Sequence, residues 1–182
     1  MNNFINEMIQ HNGRFVASGG YRQYETSKYP DKKIAIVTCM DTRLVELLPA
    51  ALGIKNGDVK MIKNAGGIIT DPFDSSMRSL LVAVYELGVN EIMIIGHTEC
   101  GVQGMSADEI LHLMRERGVS EEKISLMKYC GLRLDEWLTG FSDTSEAVKA
   151  TVDLVRDHPL MPADVNVAGY IIDSYTGALE AI

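Results

Sequence analysis

The sequence predicts an α/β fold: a mostly parallel central sheet with strand order 2-1-3-4 plus an edge strand, flanked by helices. Three observations carry this reading. Short, continuous apolar runs rich in β-branched residues recur along the chain, as in strands buried on both faces. Stretches with helical spacing fill the gaps between them, which implies right-handed crossovers. The length of 182 residues, 46% of them apolar and 23% charged, suits one core. No repeat, low-complexity tract or linker divides the chain, so residues 1–182 read as a single domain with 1–30 as an N-terminal helical arm.

The elements follow in order. Residues 2–11 form a helix whose apolar stripe, Phe4, Ile5, Met8 and Ile9, the sheet does not need. It packs either on another subunit or on its own domain. Residues 34–38 (IAIVT) are the first strand, central because the run is wholly apolar. Asp41 or Thr42 caps a helix running to about Leu52, which Gly53 ends. Residues 59–62 (VKMI) are the second strand. Asp71 as N-cap and Pro72 at the first position start the next helix, Gly88 stops it, and Phe73, Met77, Leu80, Leu81, Val84 and Leu87 share its apolar face. Residues 91–96 (EIMIIG) are the third strand. Ser106 and Glu109 form a capping-box pattern before a helix to about Arg117, and Ser120 with Glu121 and Glu122 starts another. A last helix runs from about Thr144 to Asp157, ahead of Pro159 and Pro162. Residues 165–172 (VNVAGYII) are the fourth strand, and 173–178 (DSYTGA) turn into the edge strand.

Charge and cysteine usage narrow the function. Seventeen basic against 25 acidic side chains give a net charge of −8, a poor footprint for nucleic acid or an anionic membrane surface. A small neutral ligand fits better. The first thirty residues lack a basic end followed by an apolar run, and the longest apolar stretches, such as 80–84, fall far short of the ~20 residues that span a bilayer. The expectation is a cytoplasmic protein. Three Cys, at 39, 100 and 130, argue against a disulfide framework and leave metal binding, catalysis or burial to explain them.

Chemistry-bearing residues concentrate in two places, Cys39, Asp41 and Arg43 after the first strand and His97 and Cys100 after the third. In an open parallel sheet ligands bind beyond the carboxyl ends of strands where the order reverses, and in a 2-1-3-4 order both clusters meet there. Two thiolates and an imidazole suit zinc, which leaves its fourth position to water when catalytic. Taken singly, a Cys at a strand end is a small buried hydrophobe as readily as a ligand, and His-x-x-Cys arises by chance. Asp41 and Arg43 can pair within one turn, the guanidinium forking onto the carboxylate. Equally, Asp41 can cap the following helix and leave Arg43 solvated.

The stretches 37–44 (VTCMDTRL), 63–67 (KNAGG) and 96–101 (GHTECG), with GYIIDSYTGAL at the end, resemble the β-class carbonic anhydrases, specifically their small, compact prokaryotic branch. The likeness runs from about Lys33 to the C-terminus. It implies that Cys39, His97 and Cys100 bind one zinc ion per chain, that Asp41 and Arg43 are the catalytic dyad beside the metal-bound water, and that a closed form exists in which Asp41 becomes the fourth ligand. It implies reversible hydration of CO2 to bicarbonate, in a homodimer or dimer-based oligomer. The Gln and Tyr that help form the pocket in the plant-like branch have no counterpart here.

Gly66 and Gly67 permit positive φ and close approach, so their N–H groups could face a substrate oxygen, or they could make an ordinary strand-to-helix turn. Cys130 reads as a free thiol without a partner, His112 and His158 as surface or capping groups, the ten Met as core filler and Trp137 as a packing anchor. Two readings compete with CO2 hydration: hydrolysis of COS or CS2 on the same scaffold, and a non-catalytic binding module with a structural zinc.

Overall fold

Four strands, β1 (Ile34–Cys39), β2 (Val59–Asn64), β3 (Glu91–His97) and β4 (Asn166–Ile172), run parallel, and β5 (Leu179–Ala181) pairs antiparallel with β4 in a sheet of order β2-β1-β3-β4-β5. This is the topology expected from the sequence. The computed structural model describes residues 3–182, so Asn2, the expected start of the opening helix, lies outside it. Among the described residues no helix is long and apolar enough to cross a membrane.

The sheet is central because its strands carry apolar side chains to both faces. On one face Ala35, Val37, Ile92 and Ile94 pack with Met77 and Leu80 of α3 (Ser75–Tyr85) and with Val148, Val152 and Val155 of α7 (Thr144–Arg156). On the other, Ile36, Ile95 and Ile172 meet Leu44 and Leu48 of α2 (Leu44–Ala51). Burying each such side chain contributes about 1.5–3 kcal/mol. Gly96 lets α7 close onto β3, since a Cβ there would stand 2.7 Å from Val148 Cγ2. The ends of β1 and β3 are thereby held side by side, with Ile36 opposite both Met61 and Met93.

The elements depart from expectation in a few places. α3 begins three residues after Pro72: Asp74 is its N-cap, accepting a hydrogen bond from Met77 N at 2.7 Å, while Asp71 accepts from Phe73 N and builds the preceding turn. Phe73 therefore lies outside the helix, 90% exposed, and takes no part in the apolar face. Ser106 precedes α4 (Ala107–Glu116) without a side-chain cap bond, so the capping box does not close. α5 (Glu121–Tyr129) does carry its cap, Ser120 accepting from Lys123 N.

A short further helix, α6 (Leu134–Trp137), completes a satellite core with α4 and α5 around Leu111, Ile124 and Leu134. Those three aliphatic side chains fill it. Trp137 is left 67% exposed and is not the anchor it was expected to be. His158 is buried between Pro72 O and Leu160 N, a structural staple, and Cys130 is an exposed free thiol.

α1 (Asn3–Ala17) extends beyond the expected His11 and buries none of its residues. It is anchored on the 3-10 turn Gly20–Tyr24, where the Phe15 and Tyr24 rings lie 6.1 Å apart. Its stripe of Phe4, Met8 and Ile9 stays exposed, so docking on its own domain is not what the structure adopts.

Candidate metal centre

β1 and β3 end at one rim, where the strand order reverses. Cys39 closes β1, His97 closes β3, and Cys100 enters from the turn that follows. All three are buried, His97 completely. The two Sγ atoms lie 3.9 Å apart, and a ligand atom from each residue falls within 4.8 Å of the others. Among the described residues no other group of His, Cys, Asp and Glu converges in this way.

The His97 ring settles its own tautomer. Nδ1 lies 2.9 Å from Thr98 O, and a carbonyl only accepts, so Nδ1 carries the hydrogen. Nε2 is left as a lone pair, buried and without a hydrogen-bond partner. An orphaned acceptor in a dry site is costly unless something fills it. Two sulfurs and one imidazole lone pair facing a common point are a donor set that zinc accepts with one position open. The site residues thus fit a metal ion by their own chemistry.

Electrostatics prepare one of the three groups for a metal and hold the protons of the other two. Burial pushes the Cys39 thiol up, but attraction to the His97 ring and the backbone N–H groups of Asp41 and Gly66 outweigh it and bring the group down to about 7. Cys39 in turn raises His97, against the penalty of burial. Burial raises Cys100. One thiol is thus poised near neutrality and the other holds its proton more firmly.

Asp41 stands at the edge of this triad, its Oδ2 3.9 Å from His97 Nε2. Arg43 grips it with a side-on fork, Nε donating to Oδ1 at 3.0 Å and Nη2 to Oδ2 at 2.9 Å. That fork holds the carboxyl at about 2, and Asp41 raises the guanidinium in return. Oδ1 also accepts from Arg43 N at 2.9 Å, so one carboxylate both closes the turn ahead of α2 and pairs with the side chain. Of the two readings open from sequence the fork is the one adopted: Arg43 is paired instead of solvated, and α2 has Arg43 itself at its N-cap, with no side-chain cap bond from Asp41 or Thr42.

The glycines serve the ligands. Gly67 has φ 68, and a Cβ on it would stand 2.6 Å from Cys39 N, so the loop after β2 presses on the backbone of β1. The Gly66 N–H helps to lower the Cys39 thiol. The open cleft above the triad has a volume of about 500 Å³ and is walled by Met40, Ala65, Gly101, Val102 and Met105 around Asp41 and Arg43. Neither Gly66 nor Gly67 lines it.

Two contributors had no role in the sequence reading. Glu99 accepts from Arg43 Nη1 at 3.3 Å through Oε2 and from Nη2 at 3.0 Å through its backbone carbonyl. Tyr175, from the turn after β4, donates its hydroxyl to Glu99 Oε2 at 2.7 Å. A carboxylate inside the His-x-x-Cys turn, next to an arginine with N–H groups to spare, was the available signal for Glu99. Tyr175 gave none without the fold.

Comparison with known proteins follows the same lines. The carbonic anhydrase family matches residues 34–179. The Bacillus subtilis (strain 168) protein YvdA, named a putative carbonic anhydrase, is 49% identical over 178 residues, covering 98% of this chain and 90% of that protein. A carbon disulfide hydrolase of Acidithiobacillus thiooxidans is 31% identical over 158 residues, covering 82% and 77%. In structure, the β-carbonic anhydrase isoform I of the protozoan Trichomonas vaginalis superposes with a TM-score of 0.88 at 36% identity, covering 100% of this chain and 98% of that one.

Proposed function

The chain belongs to the carbonic anhydrase family, and from that premise we propose that it catalyses the reversible hydration of CO2 to bicarbonate and a proton, with one zinc ion per chain held by Cys39, His97 and Cys100. The observation that carries this reading is the unpartnered Nε2 of His97, facing two thiols beside a carboxylate that stays anionic. Cys39, His97 and Cys100 would hold a zinc ion whose chemistry there would be to acidify water toward neutral pH.

The remaining work falls to the chain. Asp41 offers Oδ2 as an acceptor at the edge of the triad, where it can fix the orientation of the attacking group. Arg43 keeps that carboxylate ionised and turned inward. Met40, Val102 and Met105 wall the approach with apolar surface, which suits a linear, uncharged substrate better than a charged one. No fourth protein ligand joins the three among the described residues, and Asp41 is engaged by Arg43, which supports an open site over a structural zinc with four protein ligands.

Hydrolysis of CS2 is the second reading, supported by the likeness to carbon disulfide hydrolase and by cleft walls that do not distinguish one linear triatomic from another. The deciding experiment counts zinc and follows CO2 hydration by stopped flow for the wild type and Cys39→Ser, with a parallel assay for sulfide release from CS2. About one zinc per chain and hydration lost in the variant are expected. Bound zinc without hydration across alkaline pH sinks the reading.

The assembly is a dimer of this chain in our proposal, because the exposed stripe of α1 needs a cover and its own domain supplies none. Sedimentation of the full chain and of a chain lacking α1 tests it. A dimer that survives the deletion overturns the role of the arm. A reducing, cytoplasmic setting is part of the same proposal, supported by two free thiols whose sulfurs lie 3.9 Å apart.

A further inference from the structure

We infer that Glu99 and Tyr175 form a clamp that positions Arg43, and that this clamp ties the orientation of Asp41 to the turn carrying His97 and Cys100. The inference rests on the carbonic anhydrase reading for its catalytic consequence, but the clamp itself is a matter of geometry.

The first observation is the accounting of Arg43. A guanidinium has five N–H groups in a rigid fork. Two go to Asp41, through Nε and Nη2, and two to Glu99, through Nη1 to the carboxylate and Nη2 to the main-chain carbonyl. The arginine is thus forked twice, in two directions. Its side chain remains about one-third exposed, and a long flexible stem at a surface gains little from a single ion pair. Gripped from both sides, it is held by four hydrogen bonds to two residues.

The second observation is backbone strain. Glu99 has φ 54, the left-handed region that residues with a Cβ avoid. Glycine would sit there at no steric cost. A glutamate persists in such a conformation when the surrounding contacts over-determine it, and the contacts here are those to Arg43 and Tyr175. On this left-handed turn the Glu99 carbonyl accepts from Arg43, while the next residue, Cys100, is buried.

The third is the mounting of Tyr175. Asp173 Oδ1 accepts from Tyr175 N, Thr176 N and Thr176 Oγ1 at 2.7–3.0 Å, which locks the turn after β4. Ser174, buried, bonds Thr98 twice, through its hydroxyl at 3.1 Å and its N–H at 3.0 Å. That docks the turn on the residue between His97 and Glu99. From there Tyr175 both donates to Glu99 and places its ring 5.7 Å from the Arg43 guanidinium. Three strand ends, of β1, β3 and β4, converge on one arginine. Glu99 and Tyr175 act through Arg43 and are positioning residues.

The test uses three variants of the full chain. Glu99→Gly relieves the backbone strain and folds at least as well, yet removes the carboxylate. Glu99→Gln keeps an oxygen that can accept from both Arg43 and Tyr175. Tyr175→Phe keeps the ring and drops the hydroxyl. The first readout is the Arg43 Nε–Hε signal in a nitrogen-proton NMR spectrum of metal-free protein, sharp when the guanidinium is fixed. It is expected to be present in the wild type and Glu99→Gln, broadened in Tyr175→Phe and lost in Glu99→Gly. The second is kcat for CO2 hydration at full zinc loading, expected to fall about tenfold in Glu99→Gly, with KM little changed, and less in Tyr175→Phe. A Glu99→Gly protein that keeps both the signal and kcat overturns the clamp, as does a Glu99→Gln protein that behaves like Glu99→Gly. Failure of the carbonic anhydrase reading shows itself separately, as a zinc-loaded wild type that does not hydrate CO2, and leaves the metal-free NMR test standing.

Discussion

The floor and the rim of the site are built on different terms. The floor, Cys39, His97 and Cys100, is buried at the ends of two neighbouring strands and holds its geometry through the packing of the sheet. The rim, Asp41, Arg43, Glu99 and Tyr175, is partly or largely exposed and held by hydrogen bonds among side chains from three loops. On the proposed reading the floor would hold the metal and tolerate no change of donor. The rim tunes what happens beside it and is expected to degrade by steps. Substitutions in the two regions therefore differ in kind, and the largest contrast comes first.

Cys39→Ser removes a thiolate whose ionisation is already favoured at about 7. A hydroxyl is a far poorer zinc ligand, and the loss of activity is expected to exceed the ~10- to 100-fold typical of outer partners. Zinc content per chain falls with it. Activity that persists with stoichiometric zinc would merge floor and rim into one class.

Asp41→Asn is next. The amide keeps the shape and an acceptor oxygen but loses the charge that Arg43 holds in place, so zinc stays while turnover falls about 100-fold. Arg43→Lys is milder, about tenfold, because an ammonium cannot reproduce the side-on fork. Both are read from metal content and stopped-flow rates on one sample. Loss of zinc in Asp41→Asn would mean that this carboxylate belongs to the floor.

Much of the floor was legible in the sequence and less of the rim. The apolar run 34–38 reads as a buried strand, and the candidate ligands fall just beyond or at the ends of two such runs, so the expected strand order brings them together. Glu99 and Tyr175 depend on a left-handed φ and on a turn locked by Asp173, neither of which leaves a periodic trace. The same limit appears elsewhere. In the stretch DPFDS either Asp could cap, and only the reach of Asp74 to Met77 N decides it, which moves the helix start past Phe73. Trp137 reads as an anchor by size, yet Leu111, Ile124 and Leu134 already fill the satellite core.

Zinc uptake sharpens the contrast in protons. Cys39 is depressed to about 7 and Cys100 is raised, and both must be thiolates in the bound state. Well above pH 7 the apoprotein still carries the Cys100 proton, so binding releases about one per zinc; as pH falls through 7 the count climbs toward about two, with His97 adding to it at the acid end. Apparent affinity weakens correspondingly on acidification. Calorimetry in buffers of different ionisation enthalpy measures the count. A value independent of pH would show that the floor is not poised as described.

The rim's own titration gives the smallest effect. Asp41 has a folded value of about 2 against an ordinary 3.8, because the Arg43 guanidinium stabilises its charged form. A depressed carboxyl contributes stability that is fully present above the ordinary value and is lost as pH falls through the folded one, so the window is roughly pH 4 to 2. Above it the unfolded chain is ionised too and the contribution is constant; within it the unfolded state binds the proton first and the native state is penalised. With solvent screening at this half-open site the gain is on the order of 1 kcal/mol. Many other carboxylates titrate in the same window, so the quantity to measure is the difference in unfolding free energy between the metal-free wild type and Asp41→Asn. That difference should shrink as pH falls from 4 to 2 and be flat above. A difference that stays constant through the window would mean that Arg43 does not hold Asp41 in solution, and the rim would then be assembled only when the floor is occupied.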